Sequence, residues 1–205
     1  SQTFVESHTV ELGTVDGSDI FYSLNNSEYK KYDKPIIINK QSVISSYAQK
    51  NKIKSKTVTS EYFPRDDSKK IKILSTYANQ YAAAGDKTLI DQLRGGNNYR
   101  TGNWQGYRED LNVIVDISKV KKINSISLGC HQDVRSWIFY PKQVDYWSSL
   151  DGENYTYQGK VLANFPDNIE GSLQKDFKLN VKNLKARYIK IKAENYGICP
   201  DWHLG

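Results

Sequence analysis

The 205 residues carry a formal charge of +6, with 38% hydrophobic and 25% charged side chains, a composition able to bury a core and unlike that of a disordered chain. The length is too short for a (β/α)₈ barrel beside another domain, since that fold alone takes about 250 residues, and no run of 18 apolar residues supplies a membrane span. Basic residues are spread evenly, 12 Lys and Arg against 9 Asp and Glu through Ile73 and 17 against 14 afterwards, so no clustered charge points to nucleic acid.

Aromatic residues reach 12%, with 15 Tyr and 4 Trp, and such residues fit pleated sheets and line sugar-binding surfaces. An all-β chain is expected. There is no Met and no leader of charged then apolar residues, so the sequence reads as an excised or processed piece.

In the first segment apolar residues recur with period two: Val10 and Leu12, then Ile20, Tyr22 and Leu24, then Ile36 and Ile38, then Val58, Ser60 and Tyr62. Short strands are predicted there, separated by turns at Asp16-Gly17-Ser18 and Asn25-Asn26-Ser27. Five or six such strands within residues 1–63 make a small β-sandwich. Lys50, Lys52, Lys54 and Lys56 alternate as on one solvated strand face. The Pro-led charged stretch from Pro64 to Lys70 reads as a linker.

The second segment, residues 71–205, offers strands at Leu111 to Ile117, Ile123 to Cys130, Gln143 to Ser148, Tyr155 to Lys160, Asp176 to Val181 and Ala186 to Glu194. In the last of these Ile189, Ile191 and Ala193 face one way and Tyr188, Lys190 and Lys192 the other, as in a half-buried strand. This spacing predicts a β-sandwich or jelly roll. Thr88 to Asn103, rich in Gly and Asn, is predicted to be a long ordered loop, and no helix of ordinary length is expected anywhere.

Two cysteines, Cys130 and Cys199, lack the spacing of a metal site. In an exported protein they could form one disulfide closing a long loop; in a reducing compartment they would be small buried hydrophobes.

The stretches LIDQLRGGNNYRTGNWQGY, DLNVIVDIS, KINSISLG, SWIFYPKQVDYWSSLDGENY and KARYIKIKAENYG closely resemble a discoidin, or F5/8 type C, domain of the kind classed among family 32 carbohydrate-binding modules. WQGY, the HQD…SWIFYP run and the ending YGICPDWHLG look like the version at the C-terminus of family 20 glycoside hydrolases, the β-N-acetylhexosaminidases. TVELGTVDGSDIFYSLNNSEY resembles the small immunoglobulin-like chitobiase/β-hexosaminidase C-terminal sandwich; its usual Y-T-L-D-G-S-E-P hairpin stands here as Tyr22 to Glu28 without the Pro. The resemblance implies a small sandwich followed by a discoidin jelly roll. The strand that usually closes that fold, with its acidic residue, is not among the residues up to Gly205.

Three sets of residues could carry chemistry. His8, His131 and His203 are the only imidazole bases, and no nucleophile elbow, metalloprotease run or phosphate loop accompanies them. The Asp-Glu pair that the resemblance puts on barrel loops in family 20 is absent with its barrel, so no hydrolysis is expected from this chain.

Asp91, Asn97 and Thr101 sit on a Gly-rich turn and offer hard oxygen donors suited to Ca2+. The resemblance places a structural calcium there; a metal-free loop held by Asx turns is the alternative. His131, Gln132, Asp133, Arg135 and Trp137 crowd one loop, and Tyr196, Trp202 and His203 another. Sugar recognition needs aromatic faces beside planar polar groups, and in the discoidin fold loops at one end form the pocket. Trp137, Tyr140 and Trp147 read equally as core, and Trp104 as either. Were Cys130 and Cys199 to pair, they would tie the two loops together.

The expected function is therefore that of a non-catalytic module pair from a secreted, cell-surface or periplasmic bacterial β-N-acetylhexosaminidase. Its partners would be glycans ending in an amino sugar or galactose, together with the catalytic barrel of the parent chain. The alternative is a purely structural pair that braces the barrel. Membrane insertion is not expected, because the loop tips are His, Gln, Asp and Arg.

Overall fold

The computed structural model describes residues 2–203; Leu204 and Gly205, which close the matched YGICPDWHLG stretch, lie outside the described residues. The chain forms two compact units, Ser1–Asp67 with Asp91–Leu93, and Ser68–Ile90 with Arg94–Gly205. Strands dominate, and among the described residues helical structure is confined to short 3₁₀ turns.

In the first unit the strands are β1 (Gln2–Phe4), β2 (His8–Val10), β3 (Asp19–Leu24), β4 (Lys30–Lys31), β5 (Ile36–Ile38), β6 (Ser42–Lys50), β7 (Ile53–Lys54) and β8 (Val58–Pro64). A six-stranded sheet runs β1-β8-β6-β3-β4 with β7 on β6, and β2 pairs β5 separately. Tyr22, Ile44 and Tyr62 from the large sheet meet Val10, Ile36 and Ile38 from the small pair in one core, as the period-two pattern predicts. After β3 the chain turns through Asn25 and Asn26, both at positive φ, the backbone state of a tight hairpin turn that Asn tolerates.

The alternating lysines depart from expectation. Asn51 and Lys52 take φ of 49° and 68°, which folds the chain back so that Gln49 opposes Lys54. Lys50 and Lys54 therefore lie on two strands of a hairpin rather than along one face.

The second unit holds β9 (Lys70–Ile73), β10 (Leu111–Gln132), β11 (Gln143–Ser149), β12 (Thr156–Leu162) and β13 (Leu173–Ala193) in the order β12-β11-β13-β10-β9. The four separate strands predicted over 111–130 and 176–194 are two long ones, antiparallel to each other, with register shifts between Asp116 and Lys121 and between Ile123 and Ser125. Such bulges bend a ribbon and raise its twist.

The bend gives two layers. The first half of β10 and the second half of β13 pair with β9 and β11, whereas Ser125–Gln132 pairs with Leu173–Asn180. Ile126, Leu128 and Phe177 of that far ribbon pack into the same core as Val113, Val144, Tyr146, Ile189 and Ile191. Ile189, Ile191 and Ala193 are buried as their alternation predicts. Trp147 is not core: it lies half-buried on the outer face, tilted against Tyr157 at 5.3 Å with the Lys190 ammonium 5.5 Å from its ring.

Candidate functional site

The strand ends and loops of the second unit converge on a cavity of about 360 Å³ lined by Gln132, Tyr140, Lys142, Ala163, Phe165, Pro166, Asp167 and Tyr196. Gln132 ends β10, Tyr140 and Lys142 lead into β11, residues 163–167 follow β12, and Tyr196 follows β13. Pairing of Gln143 with Leu162 and of Val144 with Ala193 brings three of these segments to one end of the sheet.

Gln132 is the most telling member. Its side chain is 2% exposed; its carbonyl accepts from the Tyr140 amide at 3.4 Å, while its Nε2 has no hydrogen-bond partner. A buried amide donor left unpaired costs about 1–3 kcal/mol. Tyr140 and Phe165 meet edge to face at 5.7 Å and, with Ala163 and Pro166, make the apolar wall.

The opposite character comes from Asp167, Tyr196 and Lys142. Tyr196 donates its hydroxyl to Asp167, and burial first, then that bond and the carboxylate's charge, pushes the phenol up to about 12. It is thus a neutral donor at any working pH. Lys142 lies 3.8 Å from Glu194.

Of the residues predicted to bind sugar, Gln132 and Tyr196 line the cavity and the others do not. His131 is a correction: it is 6% exposed and stacked on Trp104 at 5.1 Å and 29°. Neighbouring residues on a strand point to opposite faces, so when Gln132 faces the cavity His131 faces away. Burial holds its imidazole below the usual pKa, although Asp133 and the Leu173 backbone act in the other direction.

Trp104 is structural as well. Its indole N–H donates to the Gly96 carbonyl at 2.7 Å, pinning the 94–104 loop over His131. Asp133 forms a bridge with Ile138. Arg135 is paired with Glu170 at the surface.

Trp137, Trp202 and His203 form an aromatic rim. Trp137 meets His203 at 5.6 Å and Trp202 meets it at 5.7 Å; the His203 Nε2 lies 2.6 Å from the Val134 carbonyl. Phe139, which sequence reasoning passed over, stacks on Tyr196 at 4.5 Å. Asp167, Lys142 and Phe165 were missed too; for Phe165 and Asp167 the signal was the Phe-Pro-Asp run shortly after the end of β12.

The calcium candidates have protein partners. Asp91, grouped with the first unit, accepts from the Leu93 amide at 2.8 Å, and burial raises its carboxyl above the usual pKa. Asn97 Oδ1 accepts from Gln174 at 2.8 Å, and Thr101 donates to the Asn98 carbonyl at 2.9 Å. The donor set is all oxygen, which suits Ca2+. Cys130 and Cys199 are both free thiols.

Residues 70–203 match the profile of the family described as F5/8 type C domain. Among solved structures, a CBM32 module from Clostridium perfringens in complex with GalNAc-β-1,3-galactose is 17% identical, with a TM-score of 0.39, covering 62% of this chain and 85% of that one. The C-terminal domain of a chitobiase from Bacteroides fragilis is 24% identical, with a TM-score of 0.38 over 62% of this chain and 82% of that one. A CBM32 domain from a family 31 glycoside hydrolase of Clostridium perfringens is 16% identical, with a TM-score of 0.38 over 63% and 84%. No curated protein matches the chain.

Proposed function

This chain belongs to the F5/8 type C domain family through residues 70–203, and on that premise we propose that its second unit holds the end of a glycan in the cavity at Gln132. The observation that carries the reading is the cavity of about 360 Å³ that gathers Gln132, Tyr140, Phe165, Asp167, Tyr196 and Lys142, at the small end of the ligand-pocket range of roughly 300–1,000 Å³. An N-acetylated amino sugar suits it chemically. Its acetamido carbonyl is an acceptor for Gln132, its methyl group matches the wall of Ala163, Phe165 and Tyr140, and its hydroxyls match Asp167, Tyr196 and Lys142.

Binding needs no bond to break, and we propose that the chain turns nothing over. It would serve a parent β-N-acetylhexosaminidase outside the cell by keeping enzyme and glycan together, an effective-concentration role that weak affinity suffices for. A packing role alone is less favoured, because Arg135, Trp137 and Trp202 are all exposed. No helix among the described residues is long and apolar enough to cross a membrane.

Calorimetric titration of the 205-residue chain with N-acetylglucosamine tests the reading. Saturable binding that Gln132→Leu abolishes is expected, with the variant's thermal melt showing that it folds. No heat with N-acetylglucosamine, N-acetylgalactosamine or galactose would remove the proposal, and hydrolysis of a chromogenic N-acetylglucosaminide would remove its non-catalytic part.

A further inference from the structure

We propose that the outer face of the β10–β13 ribbon, at its end away from the cavity, is a docking strip for a linear sulfated polysaccharide. The charges that make it are spread along the chain, and strand pairing gathers them. Ser125–Gln132 pairs with Leu173–Asn180, and Lys121–Ile123 with Leu184–Ala186. Ile126, Leu128 and Phe177 turn inward to the core, so their strand neighbours Ser125, Ser127 and Lys178 face out. Lys122 stands directly opposite Lys185 in the ladder, and Ser127 opposite Lys178. Lys122, Lys178, Lys182 and Lys185 are all exposed.

The strip is charged one way only. From Ile117 to Gln132 and from Leu173 to Ala186 the one carboxylate is Asp176, and Arg94 already holds it at 2.7 Å. None of the four lysines is in an ion pair among the described residues. Like charges directly opposite in an antiparallel pair, with Cβ atoms about 5 Å apart, destabilise it, and Lys122 against Lys185 is such a pair. An anion shared between the two ammonium groups turns that repulsion into attraction. From the Ser127–Lys178 pair to the Lys122–Lys185 pair is roughly 16 Å of strand, too long for one small anion and matched to a chain.

The chemistry selects a sulfated glycan. Lysine ammonium groups are compact point charges, and Ser125, Ser127 and Asn180 between them suit hydroxyls. The strip offers no aromatic ring for a base to stack on and no guanidinium to fork onto a phosphate. Val120, 52% exposed beside Lys119 and Lys121, is its one large exposed apolar neighbour, too little to hold a bilayer. A sulfated chain carries several charges per repeat where a plain polyuronate carries one per ring, which suits lysines paired across a ladder.

The inference stands apart from the cavity, and calorimetry of the 205-residue chain with a heparin dodecasaccharide tests it. Four lysine contacts should make affinity fall about 50- to 150-fold between about 50 and 200 mM NaCl, by counterion release. Lys122→Gln with Lys185→Gln should leave only about a tenfold fall over that range, while the thermal melt stays level or rises because the opposed charges are gone. Lys34→Gln with Lys40→Gln, which removes the same charge from exposed positions of the first unit, should leave the heparin affinity and its salt dependence unchanged. Heat with N-acetylglucosamine should be the same in all three proteins, so its absence bears on the cavity alone. No binding of heparin, a salt dependence unchanged by the Lys122 and Lys185 substitutions, or one lowered equally by the Lys34 and Lys40 pair overturns the proposal. So does tighter binding of duplex DNA, of an oligogalacturonate of the same length or of phosphatidylserine vesicles than of heparin.

Discussion

Tyr146 on β11 donates its phenolic hydrogen to the main-chain carbonyl of Phe177 on β13, a bond that crosses from one layer of the second unit to the other between two residues with no exposed surface. Burial raises the phenol above its ordinary pKa, so the donor is never lost to ionisation at neutral pH. Tyr146→Phe keeps the ring and deletes the donor, leaving a buried carbonyl short of a partner. A loss of about 1–3 kcal/mol is expected, read from the midpoint of urea unfolding. An unmoved midpoint would show that the bond contributes nothing to holding the layers.

Gly95 determines whether Trp104 can lie over His131. A Cβ at Gly95 would come within 2.1 Å of Trp104 Cε2 and 2.3 Å of its Nε1, distances no side-chain adjustment on a stacked, hydrogen-bonded indole absorbs. Gly95→Ala should therefore push Trp104 off its perch, with an overpacking cost of about 1–3 kcal/mol. Tryptophan fluorescence and a thermal melt report it. A variant with the parent's emission and melting point would mean the loop re-routes freely.

How much of this was legible beforehand follows from where each signal lies in the chain. The alternation of Ile189, Ile191 and Ala193 lies within one strand, and period two reads it directly. The cavity does not: Gln132, Asp167 and Tyr196 are far apart in sequence and meet only because β10 pairs with β13 and β11 with β12. Nor could sequence choose between His131 and Gln132, since adjacent strand residues face opposite ways and nothing local tells which face is hollow. The Lys50–Lys54 hairpin was hidden because Asn51-Lys52 lacks the Gly that usually announces such a turn.

Asp116 and Arg187 make one pH-dependent contribution to the second unit. Arg187 donates to both carboxylate oxygens, at 3.0 and 2.9 Å, beside the register shift that begins after Asp116. The Arg187 side-chain bond, with the Ser118 amide and the charges of Arg187 and Lys70 adding, holds the carboxyl below its ordinary pKa against the desolvation that would raise it. A lowered carboxyl stabilises the fold above its unfolded pKa, and that contribution drains away as pH falls through the folded value. Asp116→Asn should thus be less stable than the parent at pH 7, with the difference narrowing below about pH 4, near the unfolded Asp value. Parallel stability curves down to pH 2 would contradict the assignment.

The two thiols should react at different rates. Burial, then the nearby charge of Asp176, pushes the Cys130 thiol up to about 12, with Arg94 offsetting only part of it, and the reactive species is the thiolate. Native protein treated with a maleimide should therefore label Cys199 first and Cys130 slowly, on the timescale of local opening. Cys199→Ser removes the fast phase. Denaturation without reductant should expose both thiols to titration, since the structure leaves both free. A count of zero in that sample would place a disulfide between β10 and the loop after β13, and one fast-reacting Cys130 in the native state would mean that the ribbon end carrying Gln132 opens far more readily than its packing allows.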